Sequence, residues 1–259
     1  MKTIIVVLNW NNCAATVACV ESLLHHVIGP GRSLVVVDND STDGSVNVFN
    51  ESLSLRPFPS GEFCFDDIDQ QLYILRSPSN CGYAGGNNFA IQSILQAGCD
   101  FEAVWILNND TTVENDALTP LQNSLLLCTN GGFVGSLLVN QKDNNIQCVG
   151  GVHGLPSLGF FRSCKDILTF ESNRGSPSDM HLSFITGASM LISRNVIDDI
   201  GLMHDFYFLY FEEIDWQLRA SRKGYQIRVS TDSKLRHAES GSVGAKSDFF
   251  FFGLSLSNW

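Results

Sequence analysis

No stretch of this 259-residue sequence stays apolar for the ~18 residues that a membrane-spanning helix requires. Basic residues are scarce as well: 16 lysines and arginines stand against 27 acids, a formal net charge of −11. A nucleic-acid groove needs a basic field to displace counterions, so that class is excluded, and docking on an anionic membrane by charge alone is weakened. A local anion site is not excluded, because backbone amides, helix ends or a bound cation can hold a phosphate on an acidic protein. Close cysteine pairs are missing too. The eight cysteines, at 13, 19, 64, 81, 99, 128, 148 and 164, form no C-x-x-C, which argues against a zinc ribbon or a redox pair. The first ten residues carry no small-residue cleavage site, so a secretory leader is not expected and the thiols are expected to be reduced. Linkers, low-complexity tracts and internal repeats are also absent.

What is present suits one α/β body. With 44% hydrophobic residues, a chain of this length builds a sizeable core without metal or disulfide staples. Thr3 to Leu8 is a continuous β-branched and apolar run, as in a strand buried on both faces. Residues from about Cys13 to Val27 place Val17, Val20, Leu23 and Leu24 on one helical stripe. Further strands are expected at Leu34–Val37, Leu72–Leu75 and Ala103–Leu107, and a helix from Ala84 to Ala97 that ends at Gly98. Residues 51–71 fit no element and read as a loop or insertion. Alternating β and α units imply a mostly parallel sheet with right-handed crossovers. After about residue 130 the pattern loosens into short pieces, Phe133–Val139 and Ser189–Ser193, then a helix over Glu212–Lys223 ended by Gly224. This second half is expected to cover the strand ends.

Ligands of open parallel sheets bind beyond the carboxyl ends of the strands. Three polar clusters end three buried strands: Asn9-Trp10-Asn11-Asn12, Asp38-Asn39-Asp40 and Asn108-Asn109-Asp110. Each alone reads as a turn; all three on one edge point to a site. The first strand does not lead into G-x-G-x-x-G, and neither G-x-x-x-x-G-K-[ST] nor G-x-S-x-G occurs, so the usual dinucleotide, P-loop and serine-hydrolase signatures are absent. Glycines appear instead in Asn80-Cys81-Gly82-Tyr83-Ala84-Gly85-Gly86-Asn87-Asn88, where they permit either close backbone approach to a ligand or tight helix packing. Glu212, Glu213 and Asp215 open the last helix, where acids are favourable partners of the helix dipole. Asp215 and Arg219 are spaced to pair on that helix.

Taken in order, these blocks resemble family 2 glycosyltransferases of the GT-A fold. The matching residues are Val7-Leu8-Asn9-Trp10-Asn11, Val36-Val37-Asp38-Asn39-Asp40-Ser41-Thr42-Asp43-Gly44, Asn80-x-Gly82-x-Ala84-Gly85-Gly86-Asn87 and Leu107-Asn108-Asn109-Asp110-Thr111. The second half adds Thr186-Gly187-Ala188-Ser189, Tyr210-Phe211-Glu212-Glu213-Ile214-Asp215-Trp216, Gly224-Tyr225 and His237. The resemblance runs from residue 3 to about 244 and is nearest the bacterial rhamnosyltransferase-like branch that builds surface polysaccharides. It implies a single domain over 1–259, with a Rossmann-like, mostly parallel sheet and a smaller mixed-strand acceptor-side half. Residues 1–115 would bind the nucleotide sugar, and 116–259 would carry the acceptor side and the catalytic base.

The resemblance also assigns roles. Asp38 would contact the nucleotide base, with Leu8, Asn9 and Asn11 lining its pocket; capping the following helix is the other role open to that carboxylate, one that Ser41 or Asp43 could equally fill. Gly82, Gly86, Asn87, Asn108 and Asn109 would line the nucleotide-sugar site. The family's D-x-D falls on Asn108-Asn109-Asp110, making Asp110 the principal carboxylate for a divalent cation, magnesium or manganese, with His237 completing the metal site. Glu212 and Glu213 occupy the family's acidic pair, and Glu213 would be the general base. The reaction implied is an inverting single displacement from a nucleoside-diphosphate sugar to a hydroxyl of a glycan or lipid-linked acceptor. The donor expected is dTDP-rhamnose, with a UDP-hexose as the rival. A non-catalytic homologue that binds a nucleotide or a partner is the reading from another class. The expected location is cytoplasmic, at the inner face of the plasma membrane. The Phe249–Phe252 run reads as core packing or a homodimer contact, with peripheral membrane association as the alternative.

Overall fold

A computed structural model describes residues 1–59, 71–149, 152–155, 160–163 and 184–238. Its first strand, β1 (Thr3–Asn9), is the buried run expected from the sequence. Successive side chains of a strand point to opposite faces. Ile4 and Val6 therefore enter one core with Val35, Val37, Val104 and Ile106, while Ile5 and Val7 enter the other with Leu34, Val36, Trp105 and Leu107. Burial on both faces is why these strands read as unbroken apolar runs.

The neighbours of β1 are β2 (Arg32–Asp38) and, further out, β4 (Gln71–Arg76) and the two-residue β3 (Arg56–Pro57); β5 (Ala103–Asn108) lies on its other side. All these pairings are parallel. Their register sets Asn9 opposite Asp38, Asp38 opposite Arg76 and Leu8 opposite Asn108, so the polar strand ends share one edge of the sheet. Helices α1 (Cys13–His26), α2 (Ser45–Ser52) and α4 (Leu118–Leu126) supply Cys19, Val20, Leu23, Phe49, Leu118, Leu121 and Leu125 to one core. Helices α3 (Gly82–Gln96), α5 (Arg194–Ile200) and α6 (Glu212–Arg222) supply Ala90, Ile91, Ile94, Val196, Ile197, Trp216 and Ala220 to the other.

The second half continues the same sheet. β11 (Ser189–Ser193) runs antiparallel between β5 and β7 (Gly132–Asn140), and β12 (Gln226–His237) runs parallel to β7. The short β6 (Thr111–Thr112) pairs with the end of β12, and β8 (Ile146–Val149) hangs on β7. β9 (Val152–Leu155) and β10 (Phe160–Ser163) form a separate antiparallel ribbon. Serine dilutes the apolar signal of the later strands. Trp105 Nε1 donates to Ser189 Oγ at 3.0 Å, Ser136 Oγ lies 2.7 Å from Ser189 Oγ and 2.9 Å from Ser233 Oγ, and Ser233 donates to Ala117 O. A hydroxyl satisfied inside its own chain of hydrogen bonds is compatible with a core: β7 and β11 still read as strands in the sequence, whereas the more polar β12 did not.

The strands and helices expected from the sequence are observed near their expected bounds, whereas α4, α5 and β12 were not expected. The helix expected from Ala84 begins two residues earlier at Gly82, and the loop region near 51–71 contains β3 at 56–57. α4 and β12 have weak signatures: Pro120 sits in the first turn of α4, and β12 shifts register between Ser230 and Lys234. Residues 60–70, His237's neighbours beyond Ala238 and the Phe249–Phe252 run lie outside the described residues. Among the described residues no helix is long and apolar enough to cross a membrane.

Candidate active site

The three strand ends meet through one buried amide. Asn9 donates to Asp38 Oδ1 at 3.1 Å and Ser41 Oγ at 3.0 Å, and its own oxygen accepts from Thr16 at 2.7 Å and Asn109 at 3.5 Å. Asn109 also donates to Thr16 at 2.8 Å. One side chain thus ties β1, β2, α1 and the turn after β5. Asp38 is fully buried, and its other oxygen accepts the Ser41 backbone N–H at 3.2 Å. The carboxylate holds the turn after β2 and does not cap α2, whose N-cap is Gly44; with one donor on each oxygen it keeps acceptor capacity for a further N–H. Asn11 is exposed in the left-handed region (φ 48°), where its side-chain oxygen accepts the Thr42 N–H at 2.7 Å. Leu8 is half-buried, packed against the start of α3.

The glycine-rich segment is drawn tight by packing. Gly82 has φ +70°, and a Cβ there would stand 2.0 Å from the carbonyl oxygen of Phe208. At Gly86 a Cβ would meet Leu8 Cδ1 at 2.6 Å. Asn39 staples the segment to β2: its amide donates to Asn80 Oδ1 and Gly82 O at 3.0 and 3.1 Å, and its oxygen accepts Cys81 N–H at 3.2 Å. Asn87 is buried; its amide donates to Tyr83 O at 2.9 Å, and its Oδ1 has no hydrogen-bond partner among the described residues.

The fold brings Asp110 and His237 together from distant parts of the chain. Pairing of β6 with β12 sets His237 opposite Thr111, and Asp110 Oδ1 lies 3.2 Å from His237 Nε2. His237 Nδ1 lies 2.8 Å from Gln147 Oε1. With Nδ1 directed at the Gln147 amide, Nε2 is the ring nitrogen that faces Asp110. One carboxylate oxygen and one imidazole nitrogen at this spacing fit adjacent corners of an octahedron with ~2.1 Å bonds, about 3 Å apart. Among the described residues no third His, Cys, Asp or Glu joins them, and a cation held by this pair would take further oxygen ligands such as phosphate and water. The Asn108 side chain is half-buried at the same strand end, and its backbone N–H donates to Ala188 O at 3.0 Å.

That bond leads to the acidic pair. Next to Ala188, Gly187 O accepts the Tyr83 hydroxyl at 2.6 Å, and burial, followed by the charges of Glu213 and Glu212, holds the Tyr83 phenol well above its ordinary value. Glu212 is 3% exposed and Glu213 half-buried, and each has a buried Oε2 without a hydrogen-bond partner among the described residues. Burial first, then the Glu213 charge, pushes Glu212 up to about 7; burial also raises Glu213, opposed by its own and Ile214's backbone N–H. Asp215 pairs with Arg219 at 2.8 Å, as their spacing suggested.

Sequence reading missed the residues that hold α6 in place. Gln217, fully buried, exchanges hydrogen bonds with Ile185 N–H and C=O at 2.7 and 2.9 Å. Arg219 donates to the carbonyls of Ile200 and Leu202, and Trp216 Nε1 to Gly201 O at 2.8 Å. Asn88 fixes the following loop to α3 through both Met203 backbone groups. An amide among apolar neighbours, such as Gln217, was the available signal: it is rarely buried without partners.

This sheet order, with a polar strand-end edge and an acidic helix start beside it, defines the GT-A class of glycosyltransferase folds. The chain belongs to glycosyl transferase family 2, whose profile matches residues 4–201. It is 27% identical over 210 residues to the low-salt glycan biosynthesis hexosyltransferase Agl10 of Haloferax volcanii, covering 80% of this chain and 59% of that protein. It is 21% identical over 253 residues to the N-acetylglucosaminyl-diphospho-decaprenol L-rhamnosyltransferase of Mycobacterium tuberculosis, covering 88% and 76%. Among solved structures, the Pyrobaculum calidifontis mannosyltransferase PcManGT with GDP-Man and Mn2+ superposes with a TM-score of 0.60 at 15% identity, covering 92% of this chain and 56% of that one. GalNAc-T7 with UDP, GalNAc and Mn2+ gives 0.68 at 13% identity, covering 92% and 44%. The chain thus spans about three fifths of its haloarchaeal relative.

Proposed function

We propose that the chain transfers a sugar, with inversion, from a nucleoside-diphosphate donor to a hydroxyl of a glycan or lipid-linked acceptor. The observation that carries this reading is the 3.2 Å approach of Asp110 and His237 on the strand-end edge that also holds the acidic helix start. Asp110 Oδ1 and His237 Nε2 would hold a divalent cation, magnesium or manganese, which when bound offsets the charge of the departing diphosphate. A hydrogen bond from Nδ1 to Gln147 would orient the ring and direct Nε2 to the cation. Glu213 takes the proton of the acceptor hydroxyl; the amides of the first turn of α6 favour its charged form. Residues 1–115 serve the donor and 116–259 the acceptor and base.

The finer assignment is dTDP-rhamnose as donor and bacterial surface polysaccharide, at the cell envelope, as the product. Its support is the resemblance to the rhamnosyltransferase-like branch and the mycobacterial relative's name. A UDP-hexose is the competing donor. Turnover of a panel of sugar nucleotides with manganese tests both. Glu213→Gln is expected to lower turnover about 10²–10⁴-fold while leaving nucleotide binding intact. Near-normal turnover in that variant would remove Glu213 as the base, and nucleotide binding by the wild type without turnover of any donor would make the chain a binding protein.

A further inference from the structure

The start of α6 holds two adjacent carboxylates and, among the described residues, no cation to balance them. Glu212 and Glu213 each keep a buried Oε2 that none of those residues hydrogen-bonds. Directly before them the chain passes through two left-handed residues, Tyr210 (φ 73°) and Phe211 (φ 72°), a costly conformation for bulky side chains. The charged groups around the pair are already engaged. On α6 itself Asp215 is bound to Arg219 at 2.8 Å and lies 3.7 Å from His204. The remaining guanidinium nitrogens of Arg219 sit on the carbonyls of Ile200 and Leu202. From α3 comes Tyr83, whose hydroxyl proton is given to Gly187 O. On the α5 side, Asp199 meets Lys223 at the far end of α6, and from β12 the charge of Arg228 is felt by Cys128.

Two full negative charges in such a site repel one another and are both poorly solvated, so one carboxyl keeps its proton. Burial decides which: Glu212 is 3% exposed, whereas Glu213 is half-buried and the first-turn N–H groups of α6 favour its charge. We propose that Glu212 and Glu213 form a dyad holding a single proton on Glu212, and that Glu212 is a positioning residue that keeps Glu213 as the lone carboxylate of the site. The burial and the Glu213 charge that push Glu212 up to about 7 are consistent with this arrangement. The catalytic meaning of the dyad rests on Glu213 being the base; the shared proton does not.

The test is a carboxyl titration by NMR of the full chain labelled with carboxyl-13C glutamate, with Glu212→Gln and Glu213→Gln identifying the two resonances. In the wild type, Glu212 is expected to stay protonated until about neutral pH. In Glu213→Gln its midpoint is expected to fall by at least about one pH unit, a tenfold change in its ionisation constant, because the neighbouring charge is gone. Both carboxyls already ionised near pH 5 in the wild type would overturn the proposal without needing either variant to fold, and so would an unmoved Glu212 midpoint in a folded Glu213→Gln. A chain that shows the titration but turns over no donor keeps the dyad and loses the enzyme reading.

Discussion

Replacing Glu212 by glutamine should make the protein more stable at alkaline pH and leave it nearly unchanged in acid. The glutamate is 3% exposed, and its carboxyl titrates near 7 in the fold against an ordinary value of 4.5. Below 4.5 the folded and unfolded chains both carry the proton, and ionisation contributes nothing to the difference between them. As pH rises, the unfolded chain releases the proton first, so folding must hold on to a proton that water would take, and stability falls until the folded carboxyl ionises near 7. The interval from 4.5 to about 7, at about 1.4 kcal/mol per pH unit, is worth about 3 kcal/mol. Relaxation of the site around the charge trims this to about 2 kcal/mol. Glutamine keeps the shape and never ionises. Urea denaturation of both proteins between about pH 4 and pH 8 should therefore give curves that coincide in acid and diverge by about 2 kcal/mol in base. A constant offset at every pH would refute the reasoning, since it would mean that packing and not ionisation separates the two proteins.

Other expectations concern the strand-end edge. Gly82→Ala places a methyl 2.0 Å from Phe208 O at φ +70°, and should cost about 2 kcal/mol or more in urea denaturation; a loss under about 0.5 kcal/mol would show that the loop over Gly82 yields freely. Asn39→Ala removes the hydrogen bonds to Asn80, Gly82 and Cys81, an expected loss of about 2–3 kcal/mol; an unchanged denaturation midpoint would show that Asn39 does not fasten α3 to β2. His237→Ala should leave the fold intact and weaken manganese binding at least about tenfold in calorimetry with a nucleoside diphosphate present, and an unchanged affinity would remove His237 from the cation site.

Much of this was legible in the sequence because local rules were enough. The runs Thr3–Leu8, Leu34–Val37 and Ala103–Leu107 are buried on both faces and so read as strands without alternation, and the polar residues that follow them mark the ligand edge. The order of the blocks from Asn9 to His237 identified the family that the profile match shows over residues 4–201. Sequence could not say how β7, β11 and β12 join the first strands, because their pairing is non-local and their cores are diluted by Ser136, Ser189 and Ser233, each satisfied only by a residue distant along the chain. Nor could it say that Asp38 is enclosed by Asn9 and Ser41, or that glycines 82 and 86 are fitted against Phe208 and Leu8. A residue type states which bonds a side chain can make, whereas the partner and the loss of water are settled only when distant segments arrive. The sequence thus determined the strands, the edge and the chemistry available there. Tertiary structure alone decided that Asp110 meets His237 and that Glu212 and Glu213 lie where water cannot support two charges, because both depend on contacts between residues far apart in the chain.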